Sequence, residues 1–218
     1  MIFFYPMVAV LSLCGIVFCS MSATVQLDLK KLIAYSSVAH MNLVLLGIFS
    51  LNLQGVQGSI FLMIAHGLVS SGLFFLIGFL YDRHHTRVIT YYSGLVQPMP
   101  LFTTLLFLFF LANVSFPLTA NFVGELLLLI GIIQKSFFSA FFAATGIVLS
   151  AVYSFFAFGR IAFLGVSPYI ERYSEISYLE FSTVWYFFFL ILVLGIKPGL
   201  ILDVTDFDVT YLLAEVAL

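Results

Sequence analysis

Three ionisable side chains lie in the middle of long apolar stretches of this sequence: His40, His66 and Glu125. Charged residues make up only 8% of the chain, and nearly all the others fall where a helix should end. A charged side chain at the centre of a bilayer costs about 2.5 to 3.5 kcal/mol on insertion scales. Because the chain carries such a group in three successive apolar stretches, the pattern favours proton or ion movement.

Hydroxyl groups accompany both histidines. Ser36 and Ser37 precede His40 by four and three positions, so they share its helical face, and Ser70 follows His66 by one turn. Free imidazole titrates near 6.5, so modest changes in its surroundings can load or unload a proton near neutral pH. A hydroxyl one turn away could relay a hydrogen bond or hold a water molecule.

Glu125 belongs to a segment that does not fit a simple membrane helix. Residues 99–135 would extend about 55 Å as one helix, well beyond the membrane. Pro117 lies mid-way and removes a helical hydrogen bond, which predicts a broken helix with Glu125 just after the break. The polar residues Ser115, Thr119 and Asn121 could hydrate the carboxyl group, which would serve as a switchable proton site or a counter-charge. An ordinary kink at Pro117 is the alternative.

Each of these residues also has a structural interpretation. A buried histidine is often a packing or hydrogen-bonding residue, and only the recurrence on three spans favours a relay. Lys30 and Lys31 form a charged boundary that fits a topology signal, although they are further candidates for the path. Lys135 fits an interfacial anchor, or it could line an exit.

The composition predicts an all-α membrane protein. The chain is 63% hydrophobic with a mean hydropathy of +1.19, far outside the range of soluble domains. Helices are the expected spanning element, because lipid offers no partner for free backbone groups. We predict about six transmembrane helices, one of them broken, near 2–24, 32–52, 57–81, 99–135, 137–164 and 180–198, followed by a polar tail from Asp203. The first apolar stretch has no positive residue before it and is interpreted as a retained span.

The positive charges separate by side in this arrangement. If the chain crosses the membrane six times, most of the positive residues fall on one side: Lys30, Lys31, Arg83, Arg87, Arg160 and Arg172. Only Lys135 and Lys197 fall on the other side. The first side is therefore predicted to face the cytoplasm or matrix.

No redox centre is visible in the sequence. It carries no phosphate-binding glycine loop, no cysteine cluster and no dinucleotide fingerprint. Cys14 and Cys19 lie in an apolar run and are interpreted as small core or lipid-facing residues. The net charge of −2 says little about partners, and no basic patch indicates binding to nucleic acid.

Four stretches of the chain resemble subunit 4 of the proton-pumping NADH dehydrogenases (respiratory complex I), in the family's order and spacing. They are Asp-Leu-Lys-Lys-Leu-Ile-Ala-Tyr-Ser-Ser-Val-Ala-His-Met-Asn at 28–42, Met-Ile-Ala-His-Gly-Leu at 63–68, Leu-Tyr-Asp-Arg-His-His-Thr-Arg at 80–87 and Asn-Phe-Val-Gly-Glu at 121–125. The amino-acid sequence of these stretches is most similar to mitochondrial members, which implies that the protein is located in the mitochondrial inner membrane. Related antiporter-like subunits carry lysine where Glu125 stands, so the glutamate favours subunit 4.

The resemblance implies a fold of about fourteen helices containing two inverted five-helix repeats. Residues 1–164 would form the second repeat, and 165–218 a connecting segment, the final helix and the tail. His40 and His66 match the family's central-axis histidines, and Glu125 matches the acidic residue of the second broken helix. The first repeat is missing, and Met1 stands near the repeat boundary, which favours a split subunit over a fragment.

The function implied is one part of a proton path coupled to NADH:ubiquinone oxidoreduction. His40 and His66 would relay protons, and Glu125 would take up and release one. NADH, FMN, iron–sulfur clusters and ubiquinone would be held by other subunits, with no cofactor in this chain. The expected partners are other membrane-arm subunits, a separate chain with the N-terminal half, and lipids.

Two alternatives remain open. The same residues could serve a monovalent cation/proton antiporter subunit without redox coupling. The chain could also be a scaffold of the membrane arm that does not itself pump.

Overall fold

The computed structural model describes residues 2–163, 165, 167, 169–170 and 173–217. Within that part of the chain the secondary structure is helical. The α-helices are α1 (Tyr5–Val25), α2 (Leu29–Phe49), α3 (Leu53–His84), α4 (Pro100–Asn113), α5 (Ala120–Lys135), α6 (Phe137–Ala162), α7 (Tyr178–Ile196) and α8 (Gly199–Ala217). Two short 3₁₀ helices occupy Ile2–Phe4 and Ile89–Tyr91.

Local signals explain where several helices begin. Asp28 accepts a hydrogen bond from the backbone N–H of Lys30 and so caps α2. Ser177 and Glu180 form a reciprocal capping box at the start of α7. Among the described residues, five helices, namely α1, α2, α3, α6 and α7, are long and apolar enough to cross a membrane, and α4 is a shorter apolar helix. The predicted all-α membrane fold is therefore confirmed.

Helix α3 is the centre of the bundle and packs closely along α5. Glycines make this approach possible, since a Cβ added at Gly131 would lie 2.5 Å from the backbone of Gly55. Helix α2 packs on α3 and α1, while α6 packs on α1 and α5, and α7 packs on α3 and α5. The side chains of α2, α3 and α5 are thereby held at fixed separations in the middle of the fold.

The predicted break in the fourth span is confirmed. Helix α4 ends at Asn113 and α5 begins at Ala120, with Ser115 and Leu118 at φ 62° and 78° between them. Such left-handed conformations are unfavourable for residues other than glycine, so the neighbouring structure must hold them. Gly195 on α7 does so by close packing, because a Cβ there would lie 2.1 Å from the Leu118 carbonyl oxygen.

One end of the bundle gathers the loops that carry most of the positive charge. The N–H of Leu29 donates to the Arg87 carbonyl at 3.0 Å, which joins the start of α2 to the segment after α3. The N–H of Leu95 donates to the Ile161 carbonyl at 3.0 Å and joins that segment to the end of α6. The predicted grouping therefore holds for Lys30, Lys31, Arg83, Arg87 and Arg160. Arg172, assigned to the same side, lies outside the described residues.

A bidentate ion pair joins α3 to α7 at the same end. The guanidinium of Arg83 donates to both carboxylate oxygens of Glu180, at 3.0 and 2.5 Å. It also donates to the Ser174 hydroxyl at 2.9 Å and to the Glu175 carbonyl at 3.3 Å. Arg83 thus positions the chain that enters α7, as a planar fork of donors can.

The C-terminal region differs from the prediction of a polar tail. Gly199–Ala217 is a helix, α8, that packs on α3. The sequence predicted a polar tail from Asp203, whereas in the structure the side chain of Gln57 donates to Asp206 of this helix at 2.7 Å. The polar residues are accommodated because α8 lies against the first turns of α3, at the end opposite the basic loops.

Candidate proton-transfer site

His40 and Glu125 meet in the middle of the bundle. The Nδ1 atom of His40 on α2 lies 3.0 Å from Oε1 of Glu125 on α5, and the side chains are 5% and 4% exposed. Within the described part of the chain, Oε1 makes no hydrogen bond of regular geometry. The two groups are therefore close enough to share a proton after a small rotation, but the contact is not locked.

His66 extends this pair onto a third helix. Its imidazole ring lies with its centroid 4.7 Å from that of His40, at an interplanar angle of 35°. His66 is buried, and neither of its ring nitrogens finds a hydrogen-bond partner among the described residues. The order His66, His40, Glu125 is thus continuous across α3, α2 and α5.

Backbone packing holds the three side chains in register. Gly124 precedes Glu125, and a Cβ added there would lie 3.0 Å from the Cα of Leu62 on α3. Leu62 is one helical turn before His66, so the close approach of α3 and α5 fixes the spacing of the two ionisable groups. Helix α2 places His40 against both of these groups.

The predicted supporting residues divide into two groups. Ser36, Thr119 and Asn121 are buried, the first one turn before His40 on α2 and the other two at the start of α5. Both amide atoms of Asn121 lack a partner among the described residues. Ser36 and Thr119 donate to carbonyls of their own segments, at 2.8 and 2.7 Å. Ser37 and Ser70 are only partly buried, and Ser70 donates back to Gly67 at 3.3 Å.

The three lysine candidates lie outside the cluster. Lys30 and Lys31 are exposed at the start of α2, at the basic end of the bundle. Lys135 is exposed at the end of α5, with its Nζ 5.4 Å from the centroid of the Tyr5 ring. These positions fit boundary and anchoring residues, and any part in proton entry or exit stays a prediction.

Sequence reasoning missed two polar residues beside the cluster. Tyr153 on α6 is fully buried, and its hydroxyl lies near Ser36, Asn113 and Glu125. Asn113 is the last residue of α4, and its side-chain oxygen is unpaired within the described part. The signal was present as a polar stripe at helical spacing, Ser150, Tyr153 and Ser154, in an otherwise apolar span.

This arrangement suits proton transfer better than metal binding. Among the described residues, no group of three or more histidine, cysteine, aspartate or glutamate side chains is placed to hold a metal ion. Two imidazoles and one carboxyl group in sequence can pass a proton along, because each has a neutral and a charged form. The buried unpaired atoms around them offer partners for water.

Comparison with known proteins identifies the family. The model of the family described as NADH:quinone oxidoreductase/Mrp antiporter, transmembrane, matches residues 1–152. The chain belongs to this family. NADH-ubiquinone oxidoreductase chain 4 of Acanthamoeba castellanii is 47% identical over 206 residues, covering 94% of this chain and 41% of that protein. The predicted resemblance to complex I subunit 4 is confirmed, and the chain spans 41% of the length of this relative.

Solved structures share the fold of this NADH:quinone oxidoreductase/Mrp antiporter chain. A chain of respiratory complex I from Thermus thermophilus with bound NADH matches at a TM-score of 0.86 and 29% identity, over 96% of this chain and 45% of that one. A chain of the Mrp complex from Dietzia sp. DQ12-45-1b matches at 0.83 and 18% identity, over 94% and 47%. The second likeness concerns the fold alone.

Proposed function

We propose that this chain forms part of a proton-translocation path in the membrane arm of respiratory complex I, in the mitochondrial inner membrane. The observation that carries the proposal is the buried sequence His66, His40, Glu125, with Nδ1 of His40 at 3.0 Å from Oε1 of Glu125. Ionisable groups at this depth are energetically costly, and in membrane proteins they typically mark ion pathways or proton relays. The similarity to NADH-ubiquinone oxidoreductase chain 4 suggests that oxidation of NADH by ubiquinone drives the translocation.

In this mechanism the cluster responds to charge arriving from elsewhere in the complex. A proton on His66 or His40 places a positive charge beside Glu125, which favours the carboxylate and draws the two side chains together. Neutralising that pair by proton transfer from His40 to Glu125 removes the attraction and frees the carboxyl group to deliver its proton. The electron carriers, NADH, FMN, iron–sulfur clusters and ubiquinone, would belong to other subunits.

A further segment of the subunit is part of this proposal. The chain spans 41% of its relative, and the resemblance to complex I subunit 4 implies another repeat of the same kind in the remaining part. We expect that repeat on a separate polypeptide, packed against this chain along with other membrane-arm subunits. It would supply the ionisable groups that continue the path beyond His66.

Native purification with two readouts tests the function. The membrane complex that contains this chain is isolated and its polypeptides are identified by mass spectrometry, then NADH-driven proton uptake is measured in vesicles. NADH dehydrogenase subunits, a polypeptide with the first repeat, and proton uptake coupled to NADH are expected. One longer polypeptide covering these residues would overturn the split, and a complex without redox subunits would overturn the assignment.

A monovalent cation/proton antiporter is the second candidate. The family model that matches residues 1–152 is described as NADH:quinone oxidoreductase/Mrp antiporter, so the family includes this second class of protein. Sodium-dependent proton exchange in vesicles without NADH would support this candidate. Proton uptake that needs NADH and is indifferent to sodium would reject it.

A further inference from the structure

A small cavity lies beside the His40–Glu125 pair, between α1, α2 and α6. Its volume is about 20 Å³, and three of its lining residues are polar: His40, Ser150 and Tyr153. Apolar residues such as Ile16 and Ala143 form the rest of its wall. A single water molecule needs a cavity of about 10 to 15 Å³ and two to four polar partners, so the site meets both requirements for one water.

The polar atoms at this cavity have unused hydrogen-bonding capacity. His40 directs Nδ1 toward Glu125, which leaves Nε2 buried without a partner in the described part of the chain. The Tyr153 hydroxyl is likewise buried, and although Ser36 and Asn113 lie near it, no hydrogen bond of regular geometry joins it to a described residue. Ser150 donates to the Ile147 carbonyl at 2.6 Å and keeps its oxygen available as an acceptor. Buried polar groups that stay unpaired destabilise a fold, so a bridging partner at this cavity is favoured.

We propose that one water molecule bound in this cavity joins Nε2 of His40 to the hydroxyl of Tyr153. The inference rests on the proposed function and adds a positioning residue to it. With His40 neutral, the water donates to Nε2 and accepts from Tyr153, which keeps the imidazole proton on Nδ1 and aimed at Glu125. With His40 protonated, the water accepts from Nε2–H and donates to Ser150.

Tyr153 also connects this water to the broken helix. Its hydroxyl lies near Asn113, the last residue of α4, and near Ser36 on α2. A change in the backbone of the break would move Asn113 and so change the direction of the Tyr153 hydroxyl. The water would then transmit that change to the tautomer of His40. Tyr153 therefore couples the geometry of the break to the proton that faces Glu125.

The test uses the intact complex and two variants that remove the bridge in different ways. Tyr153→Phe removes the hydroxyl and keeps the ring, while Ala143→Val fills the cavity and keeps the hydroxyl. Tyr92→Phe is the matched control, since Tyr92 is buried and donates to the Thr86 carbonyl far from the cavity. Protons pumped per electron are measured in vesicles, and ordered water is sought by cryo-electron microscopy of the wild type and both variants.

We expect wild-type density for a water between His40 and Tyr153, its loss in both variants, and a lower proton-to-electron ratio in both. The control should keep the wild-type ratio. No density in the wild type would overturn the water site, as would a normal ratio in Ala143→Val. If Glu125→Gln lowers the ratio and Tyr153→Phe does not, the bridge fails and the proposed function stands. If Glu125→Gln is also normal, both fail.

Discussion

The imidazole Nδ1 of His40 and the carboxylate Oε1 of Glu125 lie 3.0 Å apart although their helices are far apart in the chain. Both side chains are buried in the interior of a membrane bundle, where screening by water and salt is weak. A charge placed on one of these side chains therefore acts on the other with little screening. A signal that protonates His40 acts directly on Glu125, without a long conformational pathway between them.

Replacing Glu125 with glutamine should lower the proton-to-electron ratio by the whole contribution of this subunit. Glutamine keeps the shape of the side chain but neither binds nor releases a proton near neutral pH. Oε1 of Glu125 makes no hydrogen bond of regular geometry with a described residue. The substitution therefore breaks no fully bonded ion pair, and we expect the complex to assemble. NADH-driven proton uptake and NADH oxidation, measured on the same vesicles, check the ratio.

The control for this variant is Glu215→Gln. Glu215 is exposed on α8, so the same chemical change there should leave the ratio unchanged. A normal ratio in Glu125→Gln would remove Glu125 from the path. A loss in both variants would point to a general effect of reduced negative charge.

The two histidines should act as a unit. Asparagine at either position keeps a side-chain nitrogen for hydrogen bonding but cannot take up a proton, so each single variant, His40→Asn and His66→Asn, should lower the ratio. Because the rings are in contact at 4.7 Å, the double variant should cost much less than the sum of the two. His85→Asn, at an exposed left-handed position, is the control. Full pumping by the double variant would favour a scaffold.

The principal members of the cluster were predictable from the sequence because of where they stand. An ionisable residue such as Glu125 in a long apolar run has few structural explanations, and the excess length of 99–135 with Pro117 predicted the break. The contact between these residues was harder to predict from the sequence. The hydrophobic pattern of these helices is apolar on nearly all sides, so it does not tell which faces of α2, α3 and α5 meet.

Tyr153 and Asn113 were missed for a related reason. Tyrosine is common at membrane interfaces and asparagine is common at helix ends, so neither residue type indicates a buried site by itself. Only the folded bundle brings the middle of α6 to the end of α4. Helix α8 was missed because its acidic residues are typical of a polar tail, while the folded helix lies against α3 and buries Val209.

Substitution of Gly195 by alanine should weaken the broken helix. A Cβ at this position would lie 2.1 Å from the Leu118 carbonyl oxygen, so the backbone at φ 78° must shift. Overpacking of this kind costs about 1–3 kcal/mol. We expect a lower thermal stability of the complex and a lower proton-to-electron ratio. Gly78→Ala, where an added Cβ meets nothing within 4 Å, should change neither; equal stability of the two variants would contradict the packing role of Gly195.

Arg83→Lys should loosen the segment that enters α7 while it preserves the charge. Arginine binds both oxygens of Glu180 together with Ser174 and the Glu175 carbonyl, and lysine cannot reproduce this fork. The unpaired groups left behind cost about 1–3 kcal/mol. Hydrogen exchange of the amides in 174–180, followed by mass spectrometry on the intact complex, should become about tenfold faster for each 1.4 kcal/mol lost.

The control is Arg160→Lys, because Arg160 lies over the ring of Phe156 at 4.0 Å and lysine can occupy the same place. Exchange in 174–180 should stay at the wild-type rate in this variant. If Arg83→Lys also exchanges at the wild-type rate, the capping box of Ser177 and Glu180 is sufficient to hold the start of α7. If exchange becomes faster while the proton-to-electron ratio stays at the wild-type value, Arg83 positions the last spanning helix without taking part in the proton path.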